Sequence, residues 1–309
     1  MPITVGIDVL KKAHEENYAV GAFNFNNMET LQAILEAASE LEAPVIVEAS
    51  EGAIKYAGAT TLVYMAQALA SKISIPVVLH LDHGKDFDLI MTSLRAGFTS
   101  VMIDASSLPF EENVRQTKRI VEIAHAMGVS VEAELGTLKG IEDNISVDER
   151  NATLINPTQA VKFVEETDID YLAPAVGTSH GAFKYKGEPK IDYERLKEVK
   201  RLTKKPLVLH GASGVPAALV QKAERFGATL KGAKGVSDEV LRKAVACGIN
   251  KVNTDTDLRI ATVGAIREVL TNYPGEIDPR KILGPARVAM KEVVKSRIIL
   301  LGSAGKAAA

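Results

Sequence analysis

Eight short β-branched runs recur along this chain, each followed by a longer stretch with apolar residues at helical spacing, and that alternation leaves few folds open. The runs are Ala19–Phe23, Pro44–Glu48, Pro76–Leu81, Ser100–Ile103, Ser130–Leu135, Asp170–Ala175, Pro206–Leu209 and Ile249–Val252. Leu31, Ile34, Leu35 and Ala38 show the helical spacing between the first two. Strand–helix alternation dictates parallel strands joined by right-handed crossovers. Eight such units without a break in composition predict an α/β fold closed into a (β/α)8 TIM barrel, one domain over residues 1–309. A barrel of this kind takes about 250 residues, more with insertions, so the length suits it. An open doubly wound sheet is the alternative, but no Gly-x-Gly-x-x-Gly follows the first run. Two polar, glycine-containing stretches are expected to leave the barrel repeat: Thr137–Asn156 and Arg225–Asp238.

In such a barrel, functional groups gather where strands end and loops begin. The polar residues at those ends are Asn24, Ser50, Asp82, His83, Asp104, Glu134, Ser179, His180, His210 and Asn253. Every strand end carries at least one, and three carry histidine. A lone histidine is more often a surface or satisfied core residue. Three at converging strand ends match a catalytic zinc, which takes three protein ligands and leaves a position open. His14 and His125 fall on predicted helices away from that mouth. His80 lies two residues before Asp82 on the same strand face, as a partner behind the ligands.

The balance of charge narrows the partners. Lys and Arg total 37 against 39 Asp and Glu, a formal net charge of -2, with basic residues spread along the chain. That gives no electrostatic case for nucleic acid or an anionic membrane. No stretch approaches the roughly 18 apolar residues of a membrane span. The opening residues lack a charged segment followed by an apolar run, so a cytoplasmic location is expected. The single cysteine, Cys247, reads as a small buried residue at a helix end.

Five segments carry a family resemblance: His80-Leu-Asp-His83-Gly, Glu132-Ala-Glu-Leu-Gly136, Gly177-Thr-Ser-His-Gly-Ala182, Leu207-Val-Leu-His-Gly-Ala-Ser213 and Asn253-Thr-Asp-Thr256. In this order, from Gly21-Ala-Phe-Asn24 through Leu300-Leu-Gly-Ser303, the chain resembles class II fructose-1,6-bisphosphate aldolases. The resemblance implies Zn2+ on His83, His180 and His210, with Asp104 and Glu134 near a second metal position. It implies reversible cleavage of fructose 1,6-bisphosphate to dihydroxyacetone phosphate and glyceraldehyde 3-phosphate, as in glycolysis and gluconeogenesis. Tagatose-1,6-bisphosphate aldolase is the nearest rival, differing in stereochemistry at C4.

Aldol cleavage needs a Lewis acid at C2 and proton-transfer groups at the C4 hydroxyl and at C3. Asp82 adjoins a ligand; it either orients a metal-bound histidine or, as the resemblance implies, is the acid/base at the C4 oxygen. Glu142 lies in a loop between Gly136 and Asn144 that glycines allow to close. It is either a solvated acid or, by resemblance, the base at C3. Glu132 shares a face with Glu134, one step deeper. A Schiff-base mechanism on Lys251 is the competing chemistry and requires that lysine to be largely deprotonated by burial; otherwise Lys251 is a barrel-interior charge. A non-catalytic scaffold barrel would leave the whole set unexplained.

A bisphosphate needs anion sites. Gly181-Ala-Phe-Lys184 and Gly211-Ala-Ser-Gly214 follow two of the histidines, and Asp255-Thr256 ends the eighth run. Glycine turns and helix starts suit phosphate, although a Gly-Ala-Ser-Gly stretch also serves as an ordinary turn. By resemblance, Gly181, Gly211, Ser213, Asp255 and Thr256 hold the C1 phosphate, with a monovalent cation (Na+ or K+) beside Ser179, Gly181, Gly211 and Ser213. The resemblance further assigns Asn253 to the enediolate and Ser50 to a substrate hydroxyl. The same resemblance implies that Arg280, in Asp278-Pro-Arg280, meets the second phosphate across a subunit contact, ahead of Arg259, in a homodimer or homotetramer.

Overall fold

The computed structural model describes residues 3–136, 139–142, 145–147, 154–180 and 191–307. Its barrel strands are β1 (Val20–Asn24), β2 (Val45–Ser50), β3 (Val77–Gly84), β4 (Ser100–Ile103), β5 (Ser130–Leu135), β6 (Tyr171–Pro174), β7 (Leu207–Leu209) and β8 (Ile249–Thr254). All pair in parallel in the order β3-β2-β1-β8-β7-β6-β5-β4, and a β3–β4 pairing closes the ring. A two-residue strand, Ile3–Thr4, adds to the start of β3. The closed (β/α)8 barrel expected from the alternation is therefore the fold, with each strand within a few residues of its expected place.

Strand parity sorts side chains into two cores. Residues pointing outward from the strands pack against the helices, in an apolar shell that runs from Ala19 through Leu79 and Phe163 to Leu301. Inside the ring, Val20, Ala22, Ile46, Val78, Tyr171, Ala173 and Val208 fill the base together with Val9, Leu10 and Ala13 of the helix Gly6–Glu16. Above that plug the interior becomes charged, with Glu48, His80, Glu132 and Lys251 fully buried.

Two irregularities in the ladder aim the interior groups. The β3–β4 register shifts between Leu81 and Gly84, and within that bulge His83 adopts a left-handed backbone, φ 50°. A Cβ on Gly84 would lie 2.5 Å from the Met102 carbonyl oxygen, so only glycine lets the two strands close there. In β8 the register slips by one residue, so that Leu207 pairs with Ile249 but Val208 pairs with Lys251. Asn250 is the extra residue; Lys251 and Asn253 face inward after it.

Both expected excursions leave the barrel repeat. Within Thr137–Asn156, Lys139–Glu142 and Ile145–Val147 pair antiparallel, and Ser179–His180 joins Lys139–Glu142 in parallel with His180 opposite Gly140. Glu142 thus lies two residues past the position paired with His180. The second excursion is shorter than expected: Ala217–Arg225 and Asp238–Ala246 are both helical, which leaves 226–237 irregular. The long helix Pro279–Leu301 packs on the helices Met28–Glu40 and Thr256–Asn272, across the β8–β1 seam. Among the described residues, no helix is long and apolar enough to cross a membrane.

Candidate active site

Asp82 sits near the mouth end of β3, 2% exposed, and both carboxylate oxygens are taken by carboxamides. Asn24 of β1 donates to Oδ2 at 2.9 Å and Asn253 of β8 donates to Oδ1 at 3.0 Å. Two strands therefore fix the carboxylate plane. The Asn253 Oδ1 is buried and has no partner among the described residues, an acceptor held ready at the site.

Beside Asp82, the His83 and His210 rings stand 4.5 Å apart between centroids. His83 Nδ1 donates to Asp104 Oδ2 at 3.0 Å, and Asp104 also accepts from Ser106. Burial opposes the Asp104 charge, but the His83 hydrogen bond and charge outweigh it and hold this carboxyl well below the usual range. His210 donates from Nδ1 to Glu134 at 3.0 Å and from Nε2 to Glu132 at 2.7 Å. Burial and the neighbouring His83 oppose a charged ring, yet the two carboxylates push His210 up to about 9. A metal on either ring nitrogen must displace that proton.

The donors fit a divalent ion. Asp82, His83 and His210 present ligand atoms within 4.8 Å of one another, and so do His83, Asp104 and Glu134. Buried imidazole nitrogens mixed with carboxylate oxygens are the donor set zinc takes at catalytic sites. Of the third expected histidine, His180, and of Glu142 only the strand pairing is described; their side chains lie outside the described part of the structure. Gly181 and Lys184 lie outside the described residues.

Beneath the mouth runs a second buried layer. Lys251 Nζ lies 3.0 Å from Glu132 and 3.2 Å from Glu48. Burial alone would lower its pKa; Glu132 and Glu48 reverse that and hold it above the usual lysine value. The deprotonated lysine of a Schiff-base mechanism is thus not what this environment favours. Burial pushes Glu48 up to about 8, helped by Asp82 and opposed by Lys251. Burial also keeps His80 neutral, its Nδ1 2.6 Å from Ser100 Oγ, which in turn meets the Tyr171 hydroxyl. Glu48 and Asn24 were not assigned roles from sequence; shared parity with Ser50 and Ala22 was the signal that could have placed them inward.

The remaining expected residues fall in three places. Ser50 Oγ caps the helix Glu51–Ala57 by accepting from the Ala53 N–H, in register with Asp82. Gly211, at φ 60°, opens the turn after β7, and Ser213 Oγ accepts from the Asp255 N–H at 3.2 Å. Asp255 precedes Thr256, the first residue of its helix, and its carboxylate pairs with Arg259. Arg280 is distant in kind: its side chain is 89% exposed and folds back on Asp278. No described site residue touches it.

Fold and site define a class, a (β/α)8 barrel whose mouth gathers imidazoles and carboxylates suited to a divalent metal around a carboxylate clamped by two amides. Comparison with known proteins narrows it. The family model "Fructose-bisphosphate aldolase class-II" matches residues 6–230 and 226–306. A fructose-bisphosphate aldolase of Helicobacter pylori strain J99 is 56% identical over 302 residues, 97% of this chain and 98% of the relative. One from Thermus caldophilus is 55% identical over 305 residues, 99% and 100% of the two chains. The crystal structure of the YdjI aldolase of Escherichia coli K12 superposes with a TM-score of 0.82 at 32% identity, covering 99% of this chain and 100% of that one. The chain belongs to the class-II fructose-bisphosphate aldolase family.

Proposed function

We propose that this protein is a zinc-dependent fructose-1,6-bisphosphate aldolase that reversibly yields dihydroxyacetone phosphate and glyceraldehyde 3-phosphate in the cytoplasm. The observation that carries the chemistry is the Asp82 carboxylate, held by Asn24 and Asn253 beside His83 and His210. On this reading His83, His180 and His210 hold the zinc, with Asp104 and Glu134 near a second metal position beside His83. Bound there, the metal supplies the Lewis acid for the C2 carbonyl.

The residues do the rest. Asp82 takes the C4 hydroxyl proton as the C3–C4 bond breaks, and its electron pair passes toward C2. Glu142 exchanges the proton at C3, completing the second half of the reaction. Asn253 keeps Nδ2 on Asp82 and offers Oδ1 to a substrate hydroxyl. Ser50 binds another hydroxyl; Gly181, Lys184, Gly211, Ser213, Asp255 and Thr256 form the C1-phosphate site, with Na+ or K+ beside it. Arg280, exposed on its own protomer, serves the second phosphate of a neighbouring subunit in a homodimer or homotetramer.

The test is turnover of fructose and tagatose 1,6-bisphosphates before and after complete chelation, with zinc added back. Loss on chelation, recovery with zinc and preference for fructose are expected. Metal-free activity, or a preference for the tagatose epimer, overturns the reading.

A further inference from the structure

The turn after β7 is gripped from behind by groups remote from the metal donors. Asp257, wholly buried in the helix Thr256–Asn272, accepts the Gly214 N–H on Oδ2 at 3.0 Å and the Val215 N–H on Oδ1 at 2.7 Å. Arg297, 3% exposed on the helix Pro279–Leu301, reaches Asp257 Oδ2 with Nε at 3.2 Å and Nη2 at 3.1 Å. Its Nη1 meets Asp238 Oδ1 at 3.0 Å. A Cβ at Gly214 would collide with this guanidinium, and one at Gly235 would collide with the Ser213 carbonyl. The Val236 N–H completes the cage by donating to that carbonyl at 3.0 Å.

The turn needs such support. Val215 has φ 46°, a left-handed conformation that a β-branched residue adopts only when its surroundings impose it. Asp257 spends both oxygens on this backbone rather than on its own helix. An ion pair that merely fastened two helices would leave the turn untouched.

We propose that Arg297, acting through Asp257, is a positioning residue for the phosphate-binding turn: it fixes Gly211–Val215 in the shape that receives the substrate's C1 phosphate. The inference rests on the phosphate role given above to Gly211 and Ser213. With the Gly214 and Val215 N–H groups committed to Asp257, only the preceding part of the turn can meet an anion, and its geometry is set by the clamp.

Calorimetric binding of dihydroxyacetone phosphate to the metal-loaded protein tests this, alongside KM, kcat, bound metal and thermal unfolding. Arg297→Met should weaken binding about tenfold or more, as for a lost charge-assisted contact, and raise KM in parallel. Its kcat should stay within about threefold and its bound metal at the wild-type level, because no metal donor is touched. Arg297→Lys should recover only part of the affinity, since an ammonium cannot reproduce the fork. If the methionine variant does not fold, the lysine variant decides: weakened binding supports the proposal and wild-type binding overturns it. Ser213→Ala separates the two layers of argument. Should it weaken binding while folded Arg297 variants bind normally, the clamp alone is refuted; should it bind normally, the phosphate reading falls and the clamp's role with it.

Discussion

Lys251 and Lys200 are both largely removed from water, and they are joined through adjacent residues, yet they are pushed in opposite directions. Lys251 faces into the ring from β8 and has two carboxylates, Glu132 and Glu48, within 3.2 Å. Among the described residues, Lys200, on the helix Tyr193–Thr203 at the barrel base, meets only neutral acceptors: the Lys205 carbonyl, the Asn250 side chain and His14 Nδ1. Burial pushes Lys200 down to about 8, whereas the carboxylates carry Lys251 above its ordinary value. Counter-charge, not depth, decides which lysine is held more firmly as an ion. The lysine with the more nucleophilic pKa therefore sits at the base, beside the plug of Val20 and Ile46, while the one beneath the mouth is a locked cation.

Removing the locked cation should have the largest effect. Lys251→Met leaves Glu132 buried without its ammonium and should cost about 3–5 kcal/mol of stability, read from urea unfolding of the metal-loaded protein. A cost below about 1 kcal/mol would mean that His80 and His210 already compensate Glu132. Adding Glu132→Gln to that variant should return about 1–3 kcal/mol relative to additivity, as two members of one network do. Strict additivity would dissolve the pair as a unit.

Lys200→Met should cost less, about 1–2 kcal/mol at neutral pH, since the partners it abandons are uncharged. Its pH signature is more telling. With the folded pKa depressed to about 8 from 10.5, the folded state holds fewer protons than the unfolded chain between those values. Wild-type stability should therefore gain relative to Lys200→Met as pH rises through that window. Parallel pH profiles of the two proteins would show that Lys200 is not depressed. The smallest expected change is none: borohydride with dihydroxyacetone phosphate should leave no adduct on Lys251, and trapping there would revive the Schiff-base mechanism.

Much of this contrast could be read from the chain, because parity along a strand is local. Lys251 and Asn253 share a face in any extended run, and Glu132 stands to Glu134 as His80 does to Asp82. The strands themselves were legible from β-branched runs. Their ends were less so: the third run is expected to stop at Leu81 with Asp82 and His83 at its end, yet β3 continues through a bulge to Gly84. Polar residues on a buried strand look like a terminus until a barrel interior is there to receive them. Glu48 stands alone between Val47 and Ala49; its parity with Ser50 is the one local hint, and the register opposite His80 places it inside the ring. Asp257 and Arg297 had no local signature at all, since their partnership exists only once the last long helix is packed. Glu142 and His180 are brought to neighbouring strands by pairings that no periodicity announces.

That long helix carries a consequence for how the molecule comes into being. Arg297 follows Asp257 by 40 positions and reaches it from the last long helix. During synthesis the imidazoles, Asp82 and the β7 turn all leave the ribosome earlier than the guanidinium that braces them. The candidate metal donors are thus all translated while Asp257 is still without its cation and Val215 without its restraint.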